Sequence, residues 1–247
     1  MNNVLTINNL HAAVEDKTIL NGIQLAIKPG QVHAIMGPNG SGKSSLAFTL
    51  MGHPRYAVKA GSITLAGNEL NDLSPDKRAK QGMFLAMQHP YEIDGVVYKD
   101  FLRQAYNALY DGTEKQLRIR DFHALLLSKV ALLKMDPAFI DRFINVGFSG
   151  GEKKRAEILQ LAVLQPKIAI LDEIDSGLDI DALKVVCEGL RAVKHDNPDM
   201  AILMITHYQR ILQYLTPDVV HVLRNGQIVK SGDATLADQL EAHGYDE

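Results

Sequence analysis

Short apolar runs alternate with stretches of helical periodicity along most of the chain. Five runs are apolar at nearly every position: 31–36, 83–87, 168–171, 201–205 and 219–223. Strands of this kind are covered by helices on both faces, so the pattern predicts an α/β fold built on a parallel sheet. In such sheets ligands bind at the carboxyl ends of the strands, and we expect the functional residues there.

A second group of runs alternates between apolar and polar positions and is broken by turn residues: 4–10, 19–27 and 62–66. This pattern predicts an antiparallel β subdomain beside the first parallel strand. Near the end of the chain, Asn225-Gly226 separates two apolar runs, 219–223 and 227–229. Asn-Gly in this setting predicts a hairpin with a type I′ turn.

Between about residues 88 and 155 the strand patterns are replaced by helical ones, of which 101–110 and 117–133 are the clearest. We therefore expect a helical subdomain, 88–155, inserted into a catalytic core formed by 1–87 and 156–247. A chain of 247 residues accommodates one such nucleotide-binding domain, and not two.

Composition narrows the functional class. Hydrophobic residues make up 46% of the chain and charged residues 22%, which is ordinary for a globular protein. Lys and Arg number 26 against 29 Asp and Glu, so no overall positive charge points to nucleic acid as a partner. No apolar run approaches the roughly 20 residues that span a bilayer, and the first residues do not resemble a signal peptide, so we expect a cytoplasmic protein without direct membrane insertion.

The single cysteine, Cys187, excludes an internal disulfide. It shares helical spacing with Leu183, Val186 and Leu190, which favours a packed apolar side chain. A role as a ligand of a metal or cluster is the alternative.

The residues following the first core run fit the phosphate-loop pattern G-x-x-x-x-G-K-[ST]. The pattern comes after a predicted strand and opens a predicted helix, 45–51, which is the context that the motif requires. Backbone N–H groups, the helix N-terminus and a lysine would together hold phosphates, and a hydroxyl would hold Mg²⁺. The expected ATP-binding residues are Gly37, Pro38, Asn39, Gly40, Ser41, Gly42, Lys43, Ser44 and Ser45, with Ser44 also a magnesium ligand.

The buried run 168–171 ends in two carboxylates, Asp172 and Glu173, a Walker B pattern. We expect Asp172 to hold Mg²⁺. Adjacent side chains at a strand end point to opposite sides, so Glu173 is expected to polarise the attacking water as the general base. A purely structural pair of acids is the alternative, which the phosphate loop makes less favourable.

Ser149-Gly150-Gly151-Glu152 precedes another helical pattern and forms a capping box. One interpretation is a well-capped helix and nothing more. The other is a phosphate-binding helix start, because exposed N–H groups at the positive end of a helix also bind anions.

The order of these motifs resembles that of the ATP-binding cassette family, in which Ser149-Gly150-Gly151 is similar to the signature. By this resemblance, Gln88 is the Q-loop glutamine that senses Mg²⁺ and the attacking water, and His207 is the switch histidine. The segment 176–179 matches the D-loop. Members work as head-to-tail dimers, so Ser149, Gly150, Gly151 and Asp179 are expected to complete the ATP site of a second copy.

Two positions depart from the family pattern. The aromatic residue that usually stacks on adenine is replaced by Val14, with His11 as an alternative stacking group. The usual signature glutamine is Glu152, and an acid at this place could slow closure of the dimer. Both departures keep open a nucleotide-dependent clamp that hardly hydrolyses ATP.

Three segments resemble the ATPases of the Suf iron–sulfur cluster assembly system: 147–155, 171–183, and 88–90 together with 92–96. The resemblance implies SufB-like and SufD-like scaffold proteins as partners, docked around Gln88 and the helical subdomain. Without a Cys or His cluster of ligand spacing in the sequence, any iron–sulfur cluster is expected on a partner. The alternative is the ATPase subunit of a membrane transporter, which would share every catalytic residue.

Overall fold

The structure, a computed structural model, describes residues 2–206 and 209–245. Contacts divide the chain into two compact units. The first contains the chain up to Met87, Pro166–Asp175 and the chain from Asp199 onward, and the second contains Gln88–Gln165 and Ser176–Pro198.

The first unit contains two sheets. Six of its strands form the central sheet: β3 (Val32–Met36), β6 (Met83–Ala86), β9 (Ile168–Asp172), β10 (Ala201–Ile205), β11 (Val219–Arg224) and β12 (Gln227–Gly232). Their order is β12-β11-β3-β10-β9-β6, and every pair is parallel except β11 with β12. The five predicted parallel strands are thus confirmed, and β3, β9 and β10 are buried along their full length.

The remaining strands of this unit form the predicted antiparallel sheet: β1 (Leu5–Val14), β2 (Lys17–Ile27), β4 (Tyr56–Leu65) and β5 (Asn68–Glu69). Its order is β2-β1-β4-β5. Four helices complete the unit: α1 (Lys43–Met51), α2 (Pro75–Gln81), α7 (Gln209–Tyr214) and α8 (Thr235–His243). A single apolar core joins both sheets to α1, through side chains such as Ile7, Leu46 and Leu203. Helix α1 is therefore fixed in place by burial on two sides.

Helices dominate the second unit: α3 (Tyr98–Tyr110), α4 (Ile119–Leu132), α5 (Gly150–Leu164) and α6 (Ile180–Asp196). Two short strands that the sequence did not predict, β7 (Ile93–Val97) and β8 (Phe143–Ile144), pair as an antiparallel ribbon. Helix α6, which the sequence analysis grouped with the catalytic core, belongs to this unit, and its Gly189 lies against Ile158 of α5. The predicted apolar stripe of α6, including Cys187, is buried.

Within residues 2–206 and 209–245, no helix is both long and apolar enough to cross a membrane.

Candidate nucleotide site

The phosphate loop connects the end of β3 to the start of α1. Gly40 and Gly42 have φ of 77° and 107°, in the left-handed region that glycine adopts without steric cost. The N–H of Leu46 donates to the carbonyl of Gly42 and begins the helix. The sequence pattern therefore produces the expected strand, turn and helix, with the N-terminus of α1 at the loop.

Lys43 is enclosed by this loop and is only 4% exposed. Its Nζ donates to the carbonyls of Gly37 at 2.9 Å and Pro38 at 3.0 Å. Burial lowers the pKa of Lys43, while the charges of Glu173 and Asp172 act in the opposite direction. A lysine held beside two acids at a helix start is arranged to bind a phosphate that brings its own negative charge.

Ser44 and Asp172 form the contact between the loop and the strand end. The Ser44 hydroxyl donates to Oδ1 of Asp172 at 3.2 Å. A hydroxyl and a carboxylate in contact suit Mg²⁺, which is usually bound through one or two carboxylates together with substrate phosphates and water. No group of three or more His, Cys, Asp or Glu residues that could hold a metal occurs in the described part of the chain. The protein thus offers few ligands for a metal. This fits Mg²⁺, because substrate phosphates and water would complete its coordination shell.

Glu173 follows directly on β9 and has an unusual backbone. Its φ is 47°, and its N–H donates to the carbonyl of Ile205 at 2.9 Å. A residue other than glycine rarely adopts this conformation, and positions of this kind concentrate at functional sites. The residue is nearly buried, with 9% of its surface exposed. The parallel neighbour β10 therefore holds the candidate base in a fixed backbone geometry.

Gln88, Asp179 and the signature Ser149-Gly150-Gly151 lie in the second unit. The carbonyl of Gln88 accepts a hydrogen bond from Nζ of Lys154 at 3.0 Å, and the same ammonium pairs with Glu157 at 3.1 Å. Asp179 caps α6, because its Oδ1 accepts from the N–H of Ala182 at 2.7 Å. The structure brings together Lys43, Ser44, Asp172 and Glu173 in the first unit, and it describes Gln88 and Asp179 within the second.

The signature Ser149-Gly150-Gly151 begins helix α5 with the predicted capping box. Oγ of Ser149 accepts from the N–H of Glu152 at 3.2 Å, and the Glu152 carboxylate accepts from the N–H of Ser149 at 2.8 Å. The N–H groups of Gly150 and Gly151 have no hydrogen-bond partner among the described residues. The capping box is confirmed, and the helix start also offers two N–H groups to an anion, so both interpretations of this segment stay open.

Comparison with known proteins decides the family. The family model described as ABC transporter matches residues 20–176. The chain belongs to the ATP-binding cassette family of ATPases. This cassette is 55% identical over 242 residues to Vegetative protein 296 of Bacillus subtilis, covering 98% of the chain and 92% of that protein. It is 54% identical over 244 residues to the probable ATP-dependent transporter SufC of Escherichia coli, covering 98% of this chain and 97% of that protein.

Solved structures agree with the predicted fold. The cassette MJ1267 of an ABC transporter superposes with a TM-score of 0.80 at 21% identity, covering 98% of this chain and 96% of that one. The cassette MJ0796, solved as a dimer, superposes with a TM-score of 0.76 at 19% identity, covering 93% of this chain and 98% of that one. The ABC ATPase fold expected from the motif order is therefore confirmed.

The hairpin near the end of the cassette supports the phosphate loop, a role that the sequence did not reveal. Asn225 and Gly226 have φ of 49° and 75°, both positive as a type I′ turn requires. The N–H of Gly226 donates to the carbonyl of Ser41 at 2.9 Å, and a Cβ on Gly226 would lie 2.0 Å from the carbonyl of Ile19. The Asn-Gly pair predicted the turn, whereas only the fold brings it against Ser41.

Gly37 is confined in a similar way. A Cβ at this position would lie 2.1 Å from the carbonyl of Leu223 in β11. Tyr245, beyond the end of α8, also contacts Gly37. Burial raises the pKa of the Tyr245 phenol, and a hydrogen bond from the Gly37 backbone lowers it by less. Tyr245 is a loop contact that no sequence motif indicated.

His207, the predicted switch histidine, lies outside the described residues. Its neighbour Thr206 is fully buried and donates from Oγ1 to Asp175 at 2.7 Å. Asp175 follows Glu173 by two residues, so this bond links the segment of the candidate base to the end of β10. Sequence reasoning assigned no role to Asp175, because no motif used in the sequence analysis gives this position a function.

Val14, which stands in place of the usual stacking aromatic, and His11, the alternative stacking group, both lie on β1. Val14 is the last residue of this strand and pairs with Tyr56 of β4. The His11 ring nitrogen Nε2 lies 3.2 Å from Oδ1 of Asn9, within hydrogen-bond distance. Stacking of His11 on adenine stays a prediction.

Proposed function

We infer that this cassette hydrolyses Mg-ATP between two copies of the chain and thereby changes the conformation of SufB-like and SufD-like scaffold proteins in iron–sulfur cluster assembly. The observation that carries the proposal is the 54% identity to E. coli SufC over nearly the full length of both chains. A cytoplasmic location is part of the proposal.

The phosphate site supports the chemistry. The loop from Gly37 to Ser45 would enclose the phosphates, with Lys43 at the β and γ positions. Ser44, Asp172 and Gln88 would hold Mg²⁺, which neutralises charge on the phosphates when bound. Glu173 would accept a proton from the attacking water as the new P–O bond forms and ADP leaves, and His207 would contact the γ-phosphate.

A second copy would complete the site. Ser149 can donate its hydroxyl proton while its oxygen accepts from Glu152, so capping does not prevent contact with a phosphate. The N–H groups of Gly150 and Gly151 would bind the same phosphate, and Asp179 would lie at the junction. ATP bound between two positive helix starts favours the closed dimer, and hydrolysis with phosphate release favours the open one. The dimeric form of the cassette MJ0796 supports this arrangement.

The second unit supports partner docking around Gln88. Apolar side chains are exposed on the β7–β8 ribbon and the loop before it: Tyr91, Ile93, Val96 and Phe143. We call these four residues the apolar ribbon. Tyr91 is 75% exposed, and its carbonyl accepts from Asn145 at 2.7 Å, which fixes the backbone of this segment. Clustered exposed apolar residues are typical of protein interaction sites, and we propose that the scaffold proteins bind here.

Co-purification tests the proposal. The Glu173→Gln cassette is mixed with the SufB-like and SufD-like proteins of the same organism and Mg-ATP, and complexes are separated by size. A stable complex is expected, and Tyr91→Ser should weaken it. Ile119→Ser is the matched control, because Ile119 is also an exposed apolar residue of this unit but lies on α4.

The alternative is the ATPase subunit of a membrane transporter, which the names of the relatives favour: E. coli SufC is itself described as a probable ATP-dependent transporter. If the cassette binds neither scaffold protein and instead co-purifies with a polytopic membrane protein, the scaffold function is wrong. The ATPase chemistry would be unchanged in that case.

A further inference from the structure

Arg142 lies beside the signature, although no sequence motif points to it. Its guanidinium lies over the ring of Phe148, 4.1 Å from the ring centre, and also faces Phe139 at 5.6 Å. The two rings contact each other, with centres 4.7 Å apart. Phe148 is buried and directly precedes Ser149. The arginine is thus stacked on the residue that leads into helix α5.

The same guanidinium forms an ion pair with Glu152. Nη1 of Arg142 donates to Oε1 of Glu152, while Oε2 of that carboxylate accepts from the N–H of Ser149 at 2.8 Å. The hydrogen bond from the Ser149 N–H, and to a smaller extent the one from the Arg142 guanidinium, hold the pKa of Glu152 below its usual range. Glu152 is therefore ionised at neutral pH, with each carboxylate oxygen directed to a different donor.

A negative charge at this position has two opposing effects. Glu152 stabilises the helix by capping it, but its charge also reduces the positive potential that the N-terminus of α5 offers to an anion. The pairing with Arg142 removes this disadvantage, since the cation lies on the same carboxylate. The N–H groups of Gly150 and Gly151 then keep their attraction for a phosphate.

We propose that Arg142 is a positioning residue of the ATP site completed in trans. It neutralises Glu152 and holds this side chain in the capping box, so that the signature attracts the terminal phosphate of ATP bound to the other copy. This inference rests on the proposed function, specifically on the ATP-dependent dimer.

The test measures dimer formation by light scattering in the Glu173→Gln background, as Mg-ATP is increased. Arg142→Gln leaves the Glu152 charge uncompensated and is expected to raise the ATP concentration for half-maximal dimer formation by about tenfold. Adding Glu152→Gln keeps the capping acceptor and removes the charge, so the double variant should return to near the parent value. Arg120→Gln, which removes a fully exposed cation elsewhere in the unit, is the control for net charge.

Salt provides a readout that loss of structure alone does not change. The defect of Arg142→Gln should shrink at about 0.5 M salt, where exposed charges are screened over a few ångströms. A defect that persists in the double variant and at high salt would mean that Arg142 only supports Phe148, and the inference would be wrong. Dimerisation of Arg142→Gln at the parent ATP concentration would also overturn it, with the proposed function intact. Failure of the Glu173→Gln parent to dimerise at all would overturn the proposed dimer and this inference together.

Discussion

The hydroxyl of Ser44, on the first turn of α1, donates to Oδ1 of Asp172 at the end of β9. These residues are far apart in the chain, and the central sheet brings them together because β3 and β9 both lie beside β10. The contact joins the phosphate loop to the Walker B strand at the place where Mg²⁺ is expected.

Asp172→Asn should therefore weaken magnesium binding more than nucleotide binding. The amide keeps the shape of the side chain but loses the charge that a divalent cation requires. The Mg²⁺ concentration for half-maximal ATPase activity should rise by at least the roughly tenfold that loss of a supporting group costs a metal site. A magnesium titration at saturating ATP measures this, and an unchanged half-saturation point would exclude Asp172 as a ligand.

Two buried histidines predict sensitivity to acid. Nδ1 of His33 lies 3.0 Å from Nε2 of His221, whose Nδ1 lies 2.7 Å from Oγ of Ser231. The remaining nitrogen of His33 lies 3.2 Å from Oε1 of Gln31, which also accepts from the N–H of Lys28 and so acts as an acceptor. Each histidine then carries its proton on Nε2, and both are neutral.

Burial lowers the pKa of His33. Burial, followed by repulsion from His33 in its protonated form, lowers the pKa of His221 to about 4. In the unfolded state a histidine has a pKa near 6.5. The contribution of the neutral pair to the free energy of unfolding is therefore fully present above about pH 6.5, and it is lost as the pH falls from about 6.5 to about 4. The free energy of unfolding should fall by roughly 2 kcal/mol between pH 7 and pH 5 on account of His221. Urea unfolding of the parent and His221→Gln at both pH values tests this. Equal losses in the two proteins would contradict the prediction.

The bond between Thr206 and Asp175 should matter to both stability and turnover. Thr206→Val removes the hydroxyl that donates to the buried Asp175 and should cost about 1–3 kcal/mol in the free energy of unfolding. Because Thr206 precedes the predicted switch histidine, kcat should fall more than KM rises. Thr206→Ser keeps the donor and should restore most of kcat. If Ser and Val variants lose kcat equally, the hydrogen bond is not what positions this segment.

Replacing Gly226 by alanine should lower the free energy of unfolding more than the same change at Gly67, a glycine with similar φ. Gly226→Ala combines a left-handed backbone with a clash against the carbonyl of Ile19, beside the hydrogen bond to Ser41. Gly67, in the turn between β4 and β5, has φ of 86°, but a Cβ added there would meet no heavy atom within 4 Å. Gly67→Ala should therefore cost only about 1–2 kcal/mol, the usual penalty for φ > 0.

Nucleotide binding separates the two glycines further. Gly226→Ala should also weaken ATP binding, because the hairpin supports the phosphate loop, whereas Gly67→Ala should leave ATP binding unchanged. Unfolding in urea and ATP titration of both variants measure the two effects. Equal losses of stability together with equal ATP affinity would show that the hairpin does not support the loop.

The parallel strands could be predicted closely because burial on both faces leaves an unbroken apolar run. The run predicted at 168–171, for example, is β9, Ile168–Asp172. The antiparallel strands are longer than predicted, since solvent-facing positions of β4 such as Lys59 interrupt the apolar pattern. The β7–β8 ribbon escaped prediction because its strands are short, include Gly95, and lie far apart in the chain.

The residues of the candidate site also fall into two groups, those that a motif predicts and those that only the fold reveals. Lys43, Ser44, Asp172 and Glu173 belong to short motifs whose spacing itself carries the chemistry, so they could be predicted from the sequence. Gly226, Tyr245, Asp175 and Arg142 act through contacts that only the fold creates. Residue types such as these occur throughout the chain, and no local pattern distinguishes the ones that reach the loop or the signature.

The most direct test of Glu173 as the general base is the rate of phosphate release by the parent and by Glu173→Gln at saturating Mg-ATP, with ATP binding measured separately. Glu188→Gln, on the exposed face of α6, is the control for loss of an acid. We expect Glu173→Gln to bind ATP as the parent does and to hydrolyse it at least about a hundredfold more slowly, because the amide cannot accept the proton of the attacking water. Hydrolysis by Glu173→Gln at the parent rate would contradict the assignment of Glu173 as the general base.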